Sequence, residues 1–168
     1  MKIAIGIDNG VTGTIGMITP FQSRMFKTPV FKEQSYTKKK QNISRVDVEE
    51  LESIFIMYLP YIPKEDIFVL IERPMINSAR FKASMSAIRA LESTLIVIER
   101  LGYGYEYTDS KLFQKALLPI GTKGTSELKK ASMDIGIRKY PHLKEIITKH
   151  GDADGLLIAD YLMYHKRV

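Results

Sequence analysis

Three short stretches place acids where chemistry could be done: GIDNG with Asp8, LIERP with Glu72, and HGDADGLLIA with Asp152 and Asp154. In the first, Ile3, Ile5 and Ile7 alternate with Ala4, Gly6 and Asp8, giving one branched face and one small face that ends in a carboxylate. This pattern predicts a buried central strand whose small face admits a closely packed element. Asp8 then stands at the carboxyl end of an interior strand, where open α/β sheets bind ligands. An acid buried there is costly without a partner such as a metal ion. The alternative is that Asp8 only accepts backbone hydrogen bonds in the turn that Asn9-Gly10 begins. Ile67 to Glu72 is apolar on both faces and also closes on an acid. A strand, helix, strand order argues for a right-handed crossover that sets this strand parallel to the first. If the two are neighbours, Asp8 and Glu72 emerge side by side, and they repel unless a cation sits between them or one holds a proton.

The stretch from His150 to Met163 predicts a mostly buried helix packed on the sheet. Asp152 and Asp154 lie at its start, where the helix dipole favours anions and capping is the plainer account. Against that account, Asp154 is followed by Gly155 and an apolar turn, so it projects from a buried element that could lie on Ala4 and Gly6. Acids two apart on a helix point about 200° apart. Asp152 therefore shares a metal with Asp154 only from an irregular turn before the helix, and His150 is the rival ligand if that turn is regular. A cluster of hard oxygen ligands suits Mg²⁺ or Mn²⁺. Two such ions about 4 Å apart activate water and stabilise the leaving oxygen in phosphodiester cleavage.

The elements that must position these groups follow from the intervening sequence. Thr14 to Ile18 and Ser23 to Phe31 read as strands completing an antiparallel meander with the first, and Lys32 to Gln41 as a mobile, Lys-rich loop. Ser44 to Asp47 reads as a capping box opening a helix with Val48, Leu51, Phe55 and Tyr58 along one stripe, ended by Pro60 and Pro63. After a loop or helix entry from Met75 to Phe81, a long helix from Ser84 to Leu101 turns Ile88, Leu91, Leu95, Ile98 and Leu101 to the core and stops at Gly102. Tyr103 to Thr108 makes the last strand. Ser110 caps a short helix from Lys111 to Leu118, the Gly121 to Gly124 segment is a basic turn, and Ser126 to Tyr140 is a helix with Lys129 and Lys130 on its exposed side.

Composition bounds the function. The 168 residues, 45% of them hydrophobic, fit a single α/β domain spanning 1–168. The absence of cysteine excludes disulfides and thiolate metal sites. No apolar run is long enough to cross a bilayer and the start lacks a signal-peptide pattern, so a cytoplasmic protein without membrane contact is expected. Between Phe21 and Arg45 stand seven Lys or Arg against one acid, a segment that accounts for the whole formal charge of +6. Such a block beside a neutral body suggests a polyanionic partner, and a solvated loop is the alternative.

GIDNG, LIERP and DADGLLIA, in that order, resemble the RuvC family of Holliday junction resolvases within the RNase H-like superfold, in the short form of phages and large DNA viruses. The resemblance implies a mixed five-stranded sheet with helices on both faces, in which the first three strands form the antiparallel meander and the last two run parallel. It further implies a homodimer that resolves branched DNA by Mg²⁺-dependent paired nicking, with Mn²⁺ able to substitute, two ions per site and no small-molecule cofactor. The location would be the cytoplasm, that of the host for a phage or virus. Metal-binding roles are carried onto Asp8, Glu72 and Asp154. The family's further acid or histidine lies just upstream of the last aspartate. Bacterial members place it three residues before, where this chain has Gly151, which leaves Asp152 and His150 as candidates. Asn9 stands where the bacterial motif has proline.

A basic residue after the last strand would approach the scissile phosphate; Lys115 and Lys123 lie in that region, and Lys123 is favoured for its Gly-flanked turn. Arg80, Phe81 and Lys82 follow Glu72 where the family inserts side chains near the junction centre, and Lys38, Lys39 and Lys40 would contact DNA phosphates. The helix from Ser84 to Leu101 is the natural dimer surface. The expected products carry a 5′-phosphate and a 3′-hydroxyl. Three other readings stay open: a non-catalytic nucleic-acid-binding module, a nuclease for flaps, forks or RNA-DNA hybrids, and an ATP-binding fragment. The last arises because IDNGVTGTIG also resembles the phosphate loop of sugar kinases and Hsp70-type ATPases, although those need a second domain to enclose the nucleotide.

Overall fold

A computed structural model describes residues 2–36, 38 and 40–166. Its centre is a five-stranded sheet in the order β3-β2-β1-β6-β7, built from β1 (Ile3–Ile7), β2 (Thr14–Ile18), β3 (Ser23–Lys27), β6 (Ile67–Glu72) and β7 (Gly104–Thr108). The first three strands pair antiparallel, whereas β6 runs parallel to β1 and β7 parallel to β6. The mixed sheet and its strand directions are those expected from the sequence. The remaining strands, β4 (Val30–Gln34) and β5 (Asn42–Val46), form a separate antiparallel ribbon.

This ribbon corrects two expectations. The third strand ends at Lys27 instead of continuing to Phe31, because Thr28 and Pro29 break the ladder and Pro29 has no N–H to donate. The Lys-rich segment from 32 is likewise a strand for its first residues. Ser44 lies in β5, so it cannot open the next helix. The cap of α1 (Val48–Tyr58) is Asp47, whose side chain accepts the Glu50 N–H. The capping pattern was present three residues further along, as Asp47 and Glu50.

The helices lie in two layers. On one face α1 and α2 (Phe81–Leu101) pack against the branched side of β1, with Leu51, Phe55, Val97 and Ile98 fully or nearly fully buried. Gly102 stops α2 in the left-handed region, at φ 72°. Ile88, expected in the core, is exposed and instead borders a cleft between α2 and the β4–β5 ribbon. On the opposite face lie α3 (Ser110–Leu117), α4 (Thr125–Lys139), α5 (Lys144–His150) and α6 (Asp154–Tyr164). Asp109, not Ser110, precedes the first turn of α3.

The seat of α6 explains the small residues of β1. A Cβ on Gly6 would fall 2.1 Å from the Ala159 backbone nitrogen, and one on Gly16 would fall 2.3 Å from the Leu156 Cα. Gly155 in turn meets the Thr14 carbonyl at 2.3 Å from its own notional Cβ, and its N–H donates to Thr14 Oγ1 at 3.0 Å. Backbone therefore lies on backbone, and the start of α6 is fixed against the ends of β1 and β2. No helix of the described residues is long and apolar enough to cross a membrane.

Candidate active site

The register of the parallel pair decides where two of the acids fall. Ile7 stands opposite Ile71, so Asp8 and Glu72, each one residue further, leave adjacent strands at the same edge of the sheet. Helix α6 delivers Asp154 to that edge as its first residue. Asp152 comes from the turn between α5 and α6, which Gly151 opens at φ 96°. This is the irregular turn that lets acids two apart converge. Ligand oxygens of Asp8, Asp152 and Asp154 all lie within 4.8 Å of one another. Glu72 joins the group from the neighbouring strand end, and its charge acts on Asp8.

Neighbouring side chains fix the orientation of these acids. Ser110 Oγ donates to Glu72 Oε1 at 2.5 Å. Ser132 Oγ, fully buried on α4, donates to Asp154 Oδ1 at 2.5 Å and accepts the Ala153 N–H at 3.1 Å. Asp152 is 3% exposed; its Oδ1 accepts the Asp154 N–H at 3.4 Å and lies 3.6 Å from His150 Nε2, while its Oδ2 lies 3.2 Å from Lys129 Nζ. His150 is thus a neighbour of Asp152. Asn9 ties the strand end to α2 by donating from Nδ2 to the Ala87 carbonyl at 3.1 Å.

The electrostatics follow from four carboxylates sharing a partly buried space, Asp152 buried and Asp8, Glu72 and Asp154 half-buried. Burial, then repulsion from Glu72, Asp154 and Asp152, raises the pKa of Asp8 well above the carboxylate range. Glu72 is raised by burial, with the Ser110 and Asp8 hydrogen bonds working the other way. Asp154 is pushed up to about 6 by burial, with the Ser132 hydrogen bond opposing and the Asp152 and Glu72 charges adding. Burial lowers the pKa of His150, against the pull of Asp152. The donor set fits a hard divalent cation: every converging atom is a carboxylate oxygen, and such a cation would lower all three raised values together.

Other residues singled out from sequence are placed apart from the acids. Lys123 sits on the exposed turn before α4, with its backbone N–H on Glu127 Oε2 at 3.3 Å, and Lys115 is exposed on α3. Arg80, Phe81 and Lys82 are exposed where α2 begins, Phe81 at 68%. Lys38 and Lys40 are exposed beyond the β4–β5 ribbon, and Lys39 lies outside the described residues. Lys129 is exposed on α4, as expected, and its ammonium group reaches Asp152. Ser110 and Ser132 were not anticipated as neighbours of the acids. For α4 a signal did exist, since Lys129 and Ser132 are three apart and share a helix face.

The sheet order and the crossing of α6 over β1 define an RNase H-like α/β fold. Within that class it has the fold of RuvC. A structure of T. thermophilus RuvC in complex with a Holliday junction substrate superposes with a TM-score of 0.58 at 16% identity, over 99% of this chain and 96% of that one. A second Thermus thermophilus RuvC structure is 18% identical over 95% of each chain, with a TM-score of 0.45. No protein-family model matches the sequence, and comparison with curated proteins finds no match.

Proposed function

We propose that residues 1–168 form a divalent-metal-dependent endonuclease domain that resolves Holliday junctions and related branched DNA in the cytoplasm, nicking paired strands as a homodimer. The observation that carries this reading is the convergence of Asp8, Asp152 and Asp154, with Glu72 beside Asp8, at the sheet edge of a RuvC-type fold. Asp8, Glu72, Asp152 and Asp154 would hold Mg²⁺ or Mn²⁺ and form the catalytic set. The bound ion supplies Lewis acidity, lowering the pKa of an attacking water and offsetting charge on the phosphoryl group.

The chain's own part is positional and electrostatic. Ser110 and Ser132 hold Glu72 and Asp154 in single orientations, which keeps their remaining oxygens aimed at the shared space. The backbone contacts of Gly6, Gly16 and Gly155 keep the carriers of Asp8 and Asp154 from separating. Exposed Lys38, Lys40, Arg80, Lys82, Lys115 and Lys123, together with Lys39, would contact phosphates, and exposed Phe81 would stack on an unpaired base.

The test is a panel of labelled four-way, flap, fork, linear and RNA-DNA substrates incubated with Mg²⁺ and with Mn²⁺. Paired nicks in the four-way junction, leaving 5′-phosphate and 3′-hydroxyl ends, are expected. Asp8→Asn and Glu72→Gln should abolish cutting and keep junction binding. Wild-type protein that cuts none of the panel overturns the proposal, and preference for another branched form reassigns the substrate.

A further inference from the structure

Four acids meet at the sheet edge, and the Lys129 ammonium group touches one of them, Asp152. Lys129 Nζ lies 3.2 Å from Asp152 Oδ2, and its side chain is 58% exposed against 4% for that of Asp152. The carboxylate is therefore confined while the lysine tip can leave for solvent. The backbone beneath that tip is held, because Ser132, one helical turn on, is buried between Asp154 and the Ala153 N–H. On Asp152, Oδ1 already serves the Asp154 N–H and His150, so Oδ2 is the oxygen with spare capacity, and Lys129 covers it. The charge of Lys129 also reaches Asp8, Asp154 and His150.

We infer that Lys129 is a positioning residue that acts as a resident counter-cation. It holds Asp152 in place while the site is without metal and competes with a divalent ion for Oδ2, so that loading the site frees its ammonium group at the exposed rim. This rests on the metal-site reading above. Ammonium and metal ion exclude one another by charge as well as by shared oxygen, so the lysine weakens metal binding by the free protein.

The experiment is a Mn²⁺ titration of the DNA-free protein, read by calorimetry or by the electron paramagnetic resonance of free Mn²⁺. Wild type, Lys129→Gln and Lys129→Arg are compared, each checked for folding by thermal melt. Lys129→Gln should bind Mn²⁺ about three- to tenfold more tightly, the range expected for removing one partly screened charge. Lys129→Arg should stay within twofold of wild type, since the charge is retained. Equal Kd values for wild type and Lys129→Gln, or weaker binding by Lys129→Gln, overturn the inference and leave the metal site standing. Wild type that binds no Mn²⁺ at millimolar concentration overturns the metal-site reading itself.

Discussion

Helix α6 carries buried acid at two places, and the fold treats them oppositely. Asp160, six residues beyond Asp154, is fully buried yet balanced from within: Lys139 Nζ lies 2.6 Å from its Oδ1 and the Tyr140 hydroxyl donates to its Oδ2. Burial first, and then this contact, pushes the Tyr140 phenol upward in pKa, so it stays a donor at any working pH. At the N-terminal end of the same helix, Asp152 and Asp154 share their space with Asp8 and Glu72 against Lys129, Ser110 and Ser132, with His150 3.6 Å from Asp152. Both places draw their donors chiefly from α4 and the residue after it, so proximity to a cation-bearing helix is not what differs. The difference is the ratio of acid to donor. A buried acid matched by its neighbours is part of the architecture, whereas a surplus of buried acids raises the energy of the fold until a ligand supplies the missing charge.

Exchanging the charges one at a time breaks this comparison most sharply. Asp8→Asn removes charge from the surplus, so junction cleavage should fall by at least about 10³-fold while the metal-free protein melts no lower than wild type. Asp160→Asn removes charge from the balanced pair. It should destabilise the fold by about 2–3 kcal/mol, held to the low end because Lys139 can turn to water, with cleavage per folded molecule within about threefold. Thermal melts in chelator beside junction cleavage rates check both. If Asp8→Asn melted lower and Asp160→Asn cut no DNA, the two places would have their roles reversed.

Ser132→Ala sharpens the comparison at the surplus end. The hydroxyl donates to Asp154 and accepts from Ala153, so its loss frees the carboxylate to rotate and leaves an N–H buried without its acceptor. Metal affinity should fall by about 10- to 100-fold, the usual cost of losing such support. A Mn²⁺ titration reads this directly, and unchanged affinity would mean that α6 alone orients Asp154.

Much of this arrangement was legible before the structure. Two apolar strands each closing on an acid, with a helix between, imply Asp8 and Glu72 side by side, and the register of β1 and β6 delivers them so. The small face of Ala4 and Gly6 announced a close neighbour, and α6 is that neighbour. The β4–β5 ribbon was not legible, because residues such as Lys32, Glu33, Asn42 and Arg45 give neither face the continuous apolar side that marks a strand. Ser110, Lys129 and Ser132 reach their acids across 38, 23 and 22 residues. The shared face of Lys129 and Ser132 was a local hint on α4, whereas nothing local to α3 says that Ser110 will face an acid. Ile88 fits the apolar stripe of α2 by spacing, yet it is exposed and lines the cleft between α2 and the ribbon.

The smallest effect expected is in the pH dependence of the metal-free protein. Asp8, Glu72 and Asp154 all have raised pKa values, Asp154 up to about 6. An acid whose folded pKa exceeds its unfolded value binds its proton more readily in the folded state. Its favourable contribution is complete below the unfolded pKa, near 4, and is lost as pH rises through the folded value. In chelator, wild type should therefore melt lower as pH rises from 5 to 7.5, and Asp8→Asn, with less charge to crowd, should follow a shallower line. The gap between the two melting temperatures narrows as pH falls toward the unfolded carboxylate value near 4. Asp160→Asn should run parallel to wild type over the same range, because it leaves the clustered acids Asp8, Asp152 and Asp154 as they are. A gap that stays constant with pH would mean the clustered acids are solvated well enough to carry their charges, and the contrast between the two ends of α6 would then lie in geometry alone.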